Sequence, residues 1–408
     1  MEGKLSYLRT NSLGILFIVL YLTDFISKYG LYYHTILENV SSVLKLILQI
    51  LIVAYVFIKK EKEGSYAIIS LAVLGFFVTI GHLFIVNDDN SFFSRISNNL
   101  KIFDWYIFIF ILMVGVNSFL GYSNDNKSQI PSLAALFKAF EIVFYINSFF
   151  IILGFIFNIE ILKAYYHERF GYNGLLRNST HASYIYIIYI IYFYYNNINL
   201  PTKKNKVLFI SSILISLFIA TKALLLFNVL LIVYLLFSVK AWKTLTISFC
   251  IVFGMILNFD ILLNTIMKNH FEVLYNVYND KGLFTMLFSL RNERVVNEFI
   301  PYITEHWSII NYFFGGGDFN VSRTEIELLD FFWFFGIIGF AYFFWIWNRY
   351  ILNFKELTKY RLCFLLLSIT LLAGNFFSSA PVMTFFLIFI LYLKTISVDN
   401  SDLKRYEL

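Results

Sequence analysis

The sequence predicts an all-α polytopic membrane protein of about twelve transmembrane helices, with a large structured extracytoplasmic loop over 264–326. Composition and run length carry that fold class. Of 408 residues, 59% are hydrophobic and 14% charged, against about 45–50% and about 25% in a soluble protein. The mean hydropathy is +0.71, and a water-soluble fold has too little polar surface to cover so much apolar chain. The apolar residues also gather in runs near the roughly 20 residues that a helix needs to cross a bilayer. The chain, 1–408, therefore reads as a single polytopic membrane domain.

The runs lie at 11–27, 36–58, 65–86, 102–121, 133–157, 182–197, 206–220, 222–239, 243–263, 327–347, 360–378 and 381–396. The first has no small-residue cleavage site after it, so it reads as a span and not as a signal peptide. The nearly unbroken stretch 206–239 reads as two short helices, because Thr221 and Lys222 interrupt its middle; one long span would invert the topology on one side of it. Basic residues agree with the two-helix reading, since short cytoplasmic loops are enriched in Lys and Arg. With the amino terminus inside, the inside loops collect Lys59, Lys60 and Lys62, then Lys203, Lys204 and Lys206, then Arg349, Lys355, Lys359 and Arg361. The short outside loops hold only Lys28, Arg95, Lys101 and Lys222. Both termini are expected in the cytoplasm. The net charge of +6 then reports orientation, with no nucleic-acid partner implied. Cys250 and Cys363 lie within apolar runs, which argues against a disulfide framework or a metal site.

Arginine collects in the two longer outside segments, 158–181 and 264–326. In the second, Met267, Phe271, Leu274 and Tyr278 fall at helical spacing, and Val295, Phe299, Ile300 and Ile303 share one side of a following stretch. These patterns predict amphipathic helices at the membrane interface. Arg291, Arg294 and Glu298 share another face; Arg294 and Glu298 are also spaced for a simple i,i+4 pair. Gly315, Gly316 and Gly317 allow either a flexible turn or close approach to a ligand. Glu327 and Asp330 share a face at the mouth of the next span, where carboxylates cap a helix or face a cavity. Arg169, Arg177 and His181 serve either a site or lipid headgroups.

Charges inside the runs need partners or water, because an isolated one at mid-membrane costs several kcal/mol. Asp24, Lys45, His82, Asp104, Lys138, Glu141 and Asp260 are in that position. Lys45, near the middle of its span, is expected to face a cavity, and Lys138 is spaced to pair with Glu141.

Several stretches together resemble the Wzy-type polysaccharide polymerases and the related O-antigen ligases of bacteria. These are R-F-G-Y-N-G-L-L-R-N-S-T-H-A-S-Y (169–184), A-T-K-A-L-L-L (220–226), R-N-E-R (291–294), the glycine run, E-I-E-L-L-D-F-F-W-F-F-G-I-I-G-F (325–340) and L-L-A-G-N-F-F-S-S-A (371–380). The resemblance covers residues 165–380 in order; the earlier spans add only topology. Lys222 stands near where the family has an arginine, which keeps the charge and loses bidentate recognition. Asn375 replaces a histidine, and Glu325 and Glu327 stand near the position of a ligase histidine, which favours polymerase over ligase.

The resemblance implies a metal-independent glycosyltransferase without a cofactor, in the bacterial cytoplasmic membrane. Such an enzyme moves a growing glycan from undecaprenyl diphosphate to the next lipid-linked repeat unit. It implies membrane lipid and a possible chain-length regulator as partners. Guanidinium groups suit the pyrophosphate leaving group: Arg177, Arg291 and Arg294 first, with Arg169, Arg323 and Lys222 beside them. Glu327 or Glu325 is the expected general base, and Arg291→Ala is expected to abolish polymer formation in folded protein. An O-antigen ligase is one alternative. A lipid-linked oligosaccharide flippase is another, although a transporter commonly shows the internal repeats that this chain lacks.

Overall fold

A computed structural model describes residues 2–86, 91–120, 130–165, 170–238, 272–319, 323–354 and 356–396. Every regular element among the described residues is a helix. Helices α1 (Glu2–Tyr32), α2 (Val40–Lys59), α3 (Lys62–Leu83), α4 (Phe92–Leu120) and α5 (Ile130–Phe157) come first. Then follow α6 (Ser179–Asn199), α7 (Lys203–Ile219) and α8 (Lys222–Ser238). The loop region holds α9 (Glu272–Phe288), α10 (Arg291–Arg294), a π-helical turn (Val295–Phe299), α11 (Ile300–His306) and α12 (Ile309–Phe314). The chain closes with α13 (Glu327–Tyr350), α14 (Leu357–Ala373) and α15 (Ala380–Ile396).

Every predicted run but one holds a helix; the exception, 243–263, lies outside the described residues together with Asp260, Met267 and Phe271. Among the described residues, six helices are long and apolar enough to cross a membrane: Asn11–Tyr32, Ile36–Lys59, Lys62–Leu83, Phe92–Leu120, Leu133–Phe157 and Glu327–Tyr350. The described residues are thus those of an all-helical membrane protein. Helices α7, α8, α14 and α15 have 17 residues each, or about 25 Å of rise at 1.5 Å per residue.

Stretch 206–239 breaks where Thr221 and Lys222 predict. Ala220 takes the left-handed conformation (φ 55°) between α7 and α8. Helix α6 is the hub, with Ala182 through Asn196 all buried. A helix apolar on every face belongs inside a bundle; here α7, α8, α14 and α15 pack around it, and α5 meets it through aromatic rings. Rings of Tyr189 and Phe140 meet at 4.4 Å between centroids, and Tyr192 and Tyr392 meet at the same distance.

The glycine run is neither a slack turn nor a ligand cradle. Helix α13 breaks at Gly336 (φ 64°), and a side chain there would run into the backbone of Phe313 to Gly315 at 2.4 Å. A side chain on Gly317 would meet the Trp333 ring at 1.9 Å. The run is therefore buried packing that seats α12 in the kink of α13. The expected Lys138–Glu141 pair gives way to a long-range one: Glu141 lies 3.6 Å from Lys204, while Lys138 is exposed.

Candidate functional site

The site begins with the stretch 170–178, which the bundle grips tightly. Tyr172 donates its backbone N–H to Phe218, and Leu175 donates to the Asn147 side chain. The Lys28 ammonium reaches the Asn173 side chain and the Gly174 carbonyl, both at 2.6 Å. Gly174 is left-handed, and a side chain on it would strike Asn147 at 2.7 Å. Asn178 then caps α6 by accepting the His181 N–H at 2.8 Å. Fixing this stretch fixes where Arg177 and His181 project.

They project into a cavity of about 800 Å³. Its walls come from α2 (Ser41, Lys45), α4 (Lys101, Asp104, Trp105), the approach to α6 (Arg177, His181), Arg323 and the link 375–381. Arg177 and His181 both line this cavity, and so does Lys45, as its mid-span position predicts. Burial pushes the His181 imidazole down to about 3, with Arg177 and Lys45 adding to the effect, so it is neutral at working pH.

Two of the cationic groups are held from behind by buried carboxylates. Lys45 Nζ lies 2.5 Å from Asp24 on α1, with Ser41 bonded to the same carboxylate. Arg323 donates to Asp330 at 3.3 Å and to Ser378 at 2.6 Å, and its guanidinium lies 5.0 Å over the Phe319 ring. Burial works against the charge on Arg323, but Tyr106, Asp330 and Glu327 outweigh it and raise its pKa. Arg177 forms no ion pair among the described residues. Asn375 Oδ1 and His181 Nδ1 are buried without a hydrogen-bond partner there. The cavity therefore combines fixed positive charge with unused polar atoms, a fit for an anionic, hydroxyl-rich ligand.

The remaining expected residues fall into two other settings. Glu327 is fully buried and accepts from the backbone N–H groups of Phe376 at 3.0 Å and Phe377 at 3.2 Å. Asp330 accepts from the Thr324 N–H and hydroxyl. With Tyr184 donating to the Gly374 carbonyl at 2.5 Å, these bonds stitch the start of α13 to the link between α14 and α15. Glu327 thereby positions Asn375 and Ser378, and each of its oxygens already accepts a backbone N–H.

Arg291 and Arg294 meet Glu325, at 3.6 and 2.8 Å. Glu325 is left-handed (φ 59°) and its carbonyl lies where a side chain on Gly374 would be, 2.2 Å from it. Lys222 reaches the Met286 carbonyl at 2.5 Å and the Ser289 hydroxyl at 2.9 Å, bracing the turn before Arg291. Neither these arginines nor Lys222 line the cavity. Arg169 lies outside the described residues.

The sequence marks Asp104 as an in-span charge that needs a partner or water and Asn375 as part of the stretch 371–380, but not that the two share a cavity, because their neighbours there come from distant segments. No known protein family, curated protein or solved structure matches the chain.

Proposed function

We propose that this chain is a bacterial polysaccharide polymerase: a glycosyltransferase that moves a growing glycan from undecaprenyl diphosphate onto the next lipid-linked repeat unit. One observation carries the reading. Arg177 and Asn375, from two of the stretches that resemble the family, meet in one cavity with Arg323, which lies two residues before a third. Guanidinium groups there bind the diphosphate bidentately and stabilise the charge that develops as it leaves. Asn375 and Ser378 offer hydrogen bonds to sugar hydroxyls. In this reading the chain crosses the cytoplasmic membrane twelve times with both termini inside, and 264–326 forms the large outside loop.

The test is to incubate the purified protein in nanodiscs, with chelator present, with undecaprenyl-diphosphate-linked repeat units extracted from source cells that lack this chain. The expected product is a gel ladder spaced by one repeat unit. An unchanged single band from folded protein overturns the reading. Movement of the lipid-linked unit across vesicle membranes would then favour a flippase, and transfer to lipid A an O-antigen ligase.

A further inference from the structure

We infer that Asp104 is the catalytic base, which takes the proton from the acceptor sugar hydroxyl; this rests on the polymerase reading above. The argument is one of availability. Both oxygens of Glu327 are held by backbone N–H groups, and Asp330 is held by Thr324 and Arg323. Glu325 lies between two guanidiniums. Asp24 is buried behind Lys45. None of these four carboxylates lines the cavity, and each is committed to a cation or to backbone.

Asp104 differs on both counts. It sits on α4, is only partly buried, and is the one acidic side chain among the cavity-lining residues. Among the described residues it forms no ion pair. Lys101, one turn earlier on the same helix, turns its ammonium over the Trp105 ring at 5.5 Å. The buried Gln49 from α2 lies beside the carboxylate. Asp104 thus shares a cavity with Arg177 and Arg323, which places a proton acceptor and the leaving-group cations around one volume.

In the step, the acceptor hydroxyl oxygen forms a bond to the anomeric carbon of the donor glycan. The bond from that carbon to the diphosphate oxygen breaks, and its electron pair leaves on undecaprenyl diphosphate. The hydroxyl proton passes to the Asp104 carboxylate, which later releases it to water. No other reactant is required.

The experiment compares wild type, Asp104→Asn and Asp104→Glu in the ladder assay over a pH series, with binding of undecaprenyl diphosphate measured in parallel. Asp104→Asn is expected to lower the rate by about 100-fold or more, while undecaprenyl diphosphate binds within about threefold of wild type. Asp104→Glu is expected to keep a measurable rate with a displaced acid limb, because the carboxylate survives with a different reach and basicity. An Asp104→Asn rate above a tenth of wild type, with the acid limb unmoved, overturns the inference and leaves the polymerase reading standing. Loss of binding together with rate assigns Asp104 to the cavity wall and also overturns it. Absence of a wild-type ladder overturns both.

Discussion

Two sets of arginines in this protein have the same chemistry and opposite situations. Arg177 and Arg323 line the cavity, whereas Arg291 and Arg294 close on Glu325 beyond its wall. The difference lies in where the counter-charge sits. In the cavity it is behind the cation, as Asp330 is behind Arg323, or absent among the described residues, as for Arg177. The exposed side of each guanidinium stays available to a ligand. In the loop the carboxylate stands between the two cations and occupies the place a ligand would take. Residue type and spacing alone do not separate an anion site from a structural ion pair; the position of the partner does.

The largest expected effect comes from removing the cation with the buried partner. Arg323→Ala leaves Asp330, which is fully buried, with Thr324 as its remaining hydrogen-bond partner. Breaking a buried pair in this way costs about 3–5 kcal/mol, so thermal unfolding in detergent should fall well below wild type. The double change Arg323→Met with Asp330→Leu is expected to recover most of that stability, because the orphaned charge is gone. It should not recover binding of inorganic diphosphate. Recovery of both would show that Arg323 serves only the fold.

Arg177→Ala should do the reverse. With no ion pair among the described residues to lose, its thermal unfolding is expected to stay near wild type. Inorganic diphosphate, titrated calorimetrically, is expected to bind roughly 10- to 100-fold more weakly, as befits a lost charge-assisted hydrogen bond of about 1.5–3 kcal/mol. Unchanged binding would move the anion site away from this cavity.

Much of the fold is legible in the sequence because span length and apolar runs are local properties. The break at Thr221 and Lys222, the cavity-facing Lys45, and the shared face of Glu327 and Asp330 all follow from spacing along one helix. What escapes is set by partners far along the chain. Asp24 lies 21 residues from Lys45 on another helix, and Glu327 meets amides 49 and 50 residues away. Periodicity shows that a carboxylate faces inward without showing whether a backbone N–H already holds it. For that reason Glu327 and Glu325 look like bases in the sequence, while Asp104 looks like any other charge in a span. The glycine run misleads for a related reason: its close neighbour is α13, which follows it in the chain, so a contact within the protein resembles a place left for substrate.

The loop cluster supplies the converse test. Glu325→Gln removes the negative charge between Arg291 and Arg294 and keeps the side chain's size. The three groups are each partly exposed, at 23%, 42% and 35% of their side-chain surface, so solvent screens the pair and its loss costs at most about 1 kcal/mol. Its main consequence should be electrostatic, because the freed arginines add to the positive field around a nearby anion site. Inorganic diphosphate is expected to bind about twofold more tightly at low salt, with the gain fading at high salt as screening shortens its reach. A large, salt-independent gain would mean that Arg291 and Arg294 now touch the ligand directly. They would then be latent members of the site, held off by Glu325 until the loop moves.

Lys281→Ala gives the smallest effect and the baseline for the others. Its ammonium lies 2.6 Å from Glu293, and the two side chains are 44% and 32% exposed. An exposed pair of this kind contributes about 0–1 kcal/mol, so thermal unfolding and diphosphate binding should both stay close to wild type. Glu293 sits beside Arg294 on α10, and the variant therefore perturbs the arginine-bearing turn without touching either arginine. If Lys281→Ala weakened binding as much as Arg177→Ala does, the loop geometry would control the cavity. The separation of the two arginine sets would then be one of distance only and not of function.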